Sequence, residues 1–140
     1  MLAHLTASDS TSRLSAASGL VWGLIACFIG HRPFGYRVWG GLIVAPLIGL
    51  LIGRMSRRLS TQPRIFQVLA SLFQLYLAGS CFAVAMGLTA LVVEERPAAP
   101  YATLLQHFLV VLWGLTFGGY VLVLWPLSYV NHRLVWRAAD

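Results

Sequence analysis

Few side chains in this sequence have types and spacings that could do chemistry. His107 interrupts an otherwise apolar run, and His31 closes another. Neutral imidazole is the commonest metal ligand, so two histidines at one depth could bracket a haem iron, and one alone could ligate a chlorophyll-type pigment. A histidine near Glu94, Glu95 and Arg32 more often makes interfacial hydrogen bonds, and no cofactor is expected on this signal. Gln67, Ser71 and Gln74 fall at i, i+4 and i+7 and so share one helical face. In apolar surroundings these three groups need partners. They are expected to act as hydrogen-bonding glue between helices, with a polar pocket for a headgroup, a quinone or a small solute as the alternative.

The remaining reactive types point away from catalysis. Cys27 and Cys81 form no Cys-x-x-Cys pair and read as small hydrophobes. Glu94 and Glu95 are adjacent, so on a helix they diverge by about 100° and cannot converge on one substrate. There is no Ser/His/Asp constellation, no phosphate-cradling glycine loop and no metal-spaced His/Glu cluster. The chain is expected to be no enzyme.

The elements that hold these residues are marked by where charge is missing. No Asp, Glu or Arg lies in Leu14–Gly30, Val38–Gly53, Ile65–Val93 or Thr103–Val130. Each run is long enough, or nearly so, to cross a hydrocarbon layer of about 30 Å. With 59% hydrophobic and 10% charged residues, the composition is too apolar for a soluble domain. The expected fold is all-α, an integral membrane bundle of four transmembrane helices over 14–130, joined by short loops. Residues 1–13 read as a polar N-terminal arm and 131–140 as an interfacial C-terminal tail, with Arg133 and Arg137 on one side of a short surface helix. Pro46 and Pro126 are expected to kink spans two and four.

All ten basic residues are arginines at span ends, which sets topology rather than a nucleic-acid surface. Seven of them, Arg13, Arg54, Arg57, Arg58, Arg64, Arg133 and Arg137, fall on one side, which places both termini in the cytoplasm. Tyr36, Trp39 and Tyr101 would mark the outer interface, and Trp125, Tyr129 and Trp136 the inner one. The absence of lysine suits a bacterial inner-membrane protein from a GC-rich genome.

Small residues recur every fourth position in each span. The ridges are Ser15, Gly19, Gly23 and Cys27; Gly41, Ala45, Gly49 and Gly53; Gly79, Ala83 and Gly87; and Gly114 with Gly118. Such ridges let helix backbones approach closely, and van der Waals contact along them supplies association energy that lipid does not. A self-contained bundle uses them all internally. A sharper expectation has the span-two ridge facing outward to dock a helix of another subunit or a second copy. On that basis the expected role is a structural or accessory subunit of a larger membrane complex, respiratory or photosynthetic by analogy. Its partners would be lipids and other transmembrane chains. A small-solute transporter or pore, or a haem, pigment or quinone binder using His107, is the alternative.

Overall fold

The computed structural model describes residues 2–59, 61–93 and 99–137, with side chains described between Thr11 and Val135. Its described elements are all helices: α1 (Leu2–Phe34), a 3-10 turn (Gly35–Arg37), α2 (Val38–Leu59), α3 (Arg64–Val93), α4 (Pro100–Phe117) and α5 (Tyr120–Arg137). Three helical stretches, Thr11–Leu59, Arg64–Val93 and Pro100–Phe117, are long and apolar enough to cross a membrane. The first is folded back on itself as α1 and α2. Glu94, Glu95, Arg96, Pro97 and Ala98 lie outside the described residues, as do the side chains of Trp136 and Arg137.

Local chemistry explains the breaks between helices. Gly35 adopts φ +56°, a left-handed conformation that ends α1 and that an L side chain resists. Pro100 opens α4, where its missing N–H costs nothing, after an extended Ala99. α4 stops at Gly118, whose N–H donates to Gly114 O at 3.0 Å, and Gly119 follows at φ +73°. Two consecutive glycines therefore divide what the sequence reads as one span over 103–130. The expected kink at Pro126 is displaced: α5 runs through that residue, and the break comes seven residues earlier, where glycine can take the positive φ that proline cannot. α2 likewise continues through Pro46.

Both termini also differ from expectation. The stretch read as a polar arm forms the first turns of α1, which begins at Leu2. The stretch read as a surface tail continues α5 to Arg137, and Asn131 and His132 turn into the protein rather than onto its surface.

α1, α2, α3 and α4 pack as antiparallel neighbours in turn, α5 continues past α4 along α3, and the tightest seam joins α1 to α2. A Cβ added at Gly49 would stand 2.6 Å from Gly19 Cα and 2.7 Å from Gly19 N. A Cβ at Gly53 would strike Ser15, and one at Gly23 would strike Ala45. The first two ridges thus meet backbone to backbone at Gly19 and Gly49, with the small side chains of Ser15 and Ala45 seated against Gly53 and Gly23. This corrects the expectation of an outward docking ridge on span two: Ala45, Gly49 and Gly53 are covered by α1. Gly41 lies beneath the Phe82 ring of α3, and Thr89 approaches Gly40. On α3, Gly79 receives Leu115 and Gly87 receives Leu104, which seats α4, while Ala83 is fully buried.

A small apolar core of Cys27, Val38, Phe82 and Met86 forms where α1, α2 and α3 meet. Large apolar side chains otherwise point outward, including Phe28 at 87% exposure and Ile43 at 77%. In water such a surface would aggregate; against acyl chains it is satisfied.

Two glycines separate the seam from open space. Gly49→Ala should cost about 1–3 kcal/mol, because backbone must move to admit the methyl. Gly114, where a Cβ would meet nothing within 4 Å, should accept alanine at no cost or gain up to about 1 kcal/mol from lower unfolded-state entropy. Unfolding in mild detergent would measure both, and equal stabilities would contradict the seam.

Candidate functional site

α1 and α4 do not pack along their length, although they would be neighbours in a closed four-helix ring. They touch through the rings of Phe34 and His107, stacked with centroids 5.6 Å apart. At the opposite, arginine-rich end, α5 swings across to α1, and Asn131 Nδ2 donates to Ser18 Oγ at 2.7 Å. Between these two closures runs a crevice of about 430 Å³, walled by all five α-helices. That volume falls in the ordinary range of about 300–1,000 Å³ for small-molecule sites.

The wall is built from the small residues of the packing ridges and from larger apolar groups. Gly19, Gly23, Ala45 and Gly49 line it on one side, Leu75, Phe82 and Met86 at its base, and Val110, Val111 and Gly114 on the other. Glycine on the α1–α2 side removes bulk that would otherwise fill the space. Polar groups gather at the arginine-rich end, where Ser15, Ser18, Gln74, Ser128, Asn131 and His132 line the crevice.

A hydrogen-bond chain organises that end. Ser56 Oγ–H donates to Gln74 Oε1 at 3.2 Å, which commits its single proton. Ser56 must then accept from His132 Nδ1, 3.2 Å away. With a neutral imidazole, His132 Nε2 accepts from Ser128 Oγ at 3.2 Å. All four side chains are buried. Nearby, Trp125 Nε1 donates to Ser71 Oγ at 3.1 Å and to Val68 O at 3.2 Å, pinning α5 to α3.

The three residues expected to share a polar face therefore part company. Gln67 Nε2 donates to Gln62 O in the α2–α3 turn at 2.9 Å. Ser71 receives Trp125. Gln74 alone of the three lines the crevice. Ser56, Ser128, Asn131 and His132 escape the sequence reading, because a histidine and an asparagine just past an apolar run look like tail residues. The signal that could have found them is the i, i+4 spacing of Ser128 and His132 on one helical face.

The two candidate ligand histidines occupy different surroundings. His31 is exposed on α1. His107 is buried, its Nδ1 paired with Thr103 O at 2.8 Å and its ring against Phe34. Its Nε2 is sealed from a water-sized probe and has no partner. Cys27 is buried with Sγ 3.4 Å from Val38 O, Cys81 is half-buried, and both are free thiols.

No protein-family model matches this chain, and neither a curated protein nor a solved structure matches it.

The hydrogen-bond chain ranks its own members. Ser56→Ala would remove hydrogen bonds from both Gln74 Oε1 and His132 Nδ1, for a loss of about 2–4 kcal/mol, whereas Ser128→Ala would remove one from His132 Nε2, for about 1–2 kcal/mol. Thermal unfolding of the two variants in the same detergent should show Ser56→Ala as the less stable, and the reverse order would refute the chain.

Proposed function

We propose that this chain is a multi-pass protein of the bacterial inner membrane that binds an amphiphilic molecule within its helices and carries out no catalysis of its own. Its arginine-rich end faces the cytoplasm, as the asymmetry of seven arginines against three supports. The observation that carries the reading is the division of one crevice into a long apolar stretch and a hydrogen-bonding end. An amphiphile has that same division. Its tail would lie along α1 from the Phe34 end, and its head would reach Gln74, Ser128 and Asn131.

The geometry favours this over the other roles. An accessory subunit docked through small-residue faces drew on the span-two ridge, which α1 already covers. A pore for small polar solutes needs hydrogen-bonding groups along its whole length. Here the middle of the wall is glycine, alanine and hydrocarbon. His107, the candidate haem or pigment ligand, is not part of the crevice wall.

Gly114 provides the test, because it lines the crevice and nothing stands near where its side chain would project. Gly114→Leu should fill the space and leave the fold's thermal stability close to wild type. Native mass spectrometry from mild detergent should show one lipid-sized adduct on the wild type and a loss of about ten-fold or more in its occupancy on Gly114→Leu. Equal occupancy would exclude the crevice as the binding place, and stable stoichiometric protein partners without any adduct would favour the subunit role.

A further inference from the structure

Two buried polar atoms among the described residues have no partner, Gln74 Nε2 and His107 Nε2. They differ in where they lie. His107 is packed away from the crevice, whereas Gln74, at 1% exposure, forms part of its wall. The order of the hydrogen-bond chain fixes what Gln74 has left to offer. Ser128, His132 and Ser56 each spend one proton in the same direction, ending on Gln74 Oε1. The amide nitrogen at the end of that chain keeps donors that nothing in the fold accepts. Leaving a buried donor unmatched costs about 1–3 kcal/mol, so an acceptor arriving there recovers that penalty.

Charge narrows the acceptor further. Among the described residues no carboxylate lines the crevice, so a cationic head would lie there without a countercharge. Arg32, the one arginine on its wall, stands near Phe34 at the other end, so the wall beside Gln74 offers an anionic head no direct ion pair. A neutral carbonyl meets neither objection. The wall extends along α1 from Ser15 to Phe34, about 28 Å at a rise of about 1.5 Å per residue. Some 430 Å³ spread over that length is room for one hydrocarbon chain rather than two.

We infer that the crevice selects single-chain amphiphiles with a neutral carbonyl head, an ester or a quinone, and that Gln74 Nε2 is the donor that recognises the carbonyl. This rests on the reading of the crevice as an amphiphile site and adds the chemistry of its head. Gln74 is a specificity residue here: it discriminates among heads, while the tail binds to the apolar wall regardless.

The test uses three probes of matched chain length, added separately to the delipidated full chain in mild detergent: 1-monooleoylglycerol, oleylamine and octadecane. Native mass spectrometry reads the occupancy of each. Wild type should take monooleoylglycerol at least about ten-fold better than oleylamine. Gln74→Met, which keeps length and removes the donors, should lose roughly ten-fold in monooleoylglycerol occupancy while octadecane is unchanged, a factor of about 1.4 kcal/mol. Gln74→Glu retains an acceptor for Ser56 and should reverse the order, favouring oleylamine. That second variant keeps the question answerable if Gln74→Met folds poorly. Monooleoylglycerol occupancy unaltered by Gln74→Met, or an unaltered probe order in Gln74→Glu, overturns the role of Gln74. Failure of all three probes to bind wild type overturns the amphiphile site itself, and the inference with it.

Discussion

The contact of α1 with α2 at backbone distance is the constraint on which the other features rest. Helices crossing in lipid gain little from burying apolar surface, since acyl chains are equally apolar, so the seam must be held by close van der Waals contact. Gly19, Gly49 and Gly53 permit it by having nothing to remove. Two rods joined this closely behave as one slab. That slab gives α3 a flat support at Gly40 and Gly41, where Thr89 and Phe82 sit, and α3 in turn seats α4 through Gly79 and Gly87.

The same economy of side chains creates the space. Small residues that bring two helices together leave a shallow wall on the flank of the seam, and α4 stands off from α1 because Phe34 and His107 hold their ends apart at ring-stacking distance. A bulkier α1 would have filled the gap. The close seam and the open crevice are thus two consequences of one compositional choice, and Gly19, Gly23 and Gly49 take part in both.

Much of the fold was legible because membrane helices announce themselves by length and by missing charge. The spans over 14–30, 38–53 and 65–93 all lie within α1, α2 and α3. Every fourth small residue is a periodicity that survives any choice of partner, so Ser15, Gly19, Gly49 and Gly53 could be named in advance. Which ridge meets which could not, because four smooth faces are interchangeable until loop lengths and tilts decide. The division at Gly118–Gly119 was hidden for a related reason: proline forces a break from its own ring, whereas glycine allows one and needs tertiary context to take it. The hydrogen-bonding end was harder still. Gln74 was visible as a polar residue in an apolar run, but its partner Ser56 lies 18 residues away on α2, and His132 behind Ser56 comes from α5. A histidine two residues past a presumed span end carries no mark of burial.

The long reach of the Asn131–Ser18 hydrogen bond bears on how the protein comes into being. The helical neighbours α1–α2, α2–α3 and α3–α4 are joined by short connections, so each can dock on its predecessor as the chain is made. Asn131 and Ser18 are 113 residues apart. The hydrogen-bonding end of the crevice is closed by α5 meeting α1, a contact that waits until the helices between them have been made. That end can therefore form only once α5 has reached α1, later than the three neighbouring helix pairs, and its hydrogen-bonding groups converge only from that point.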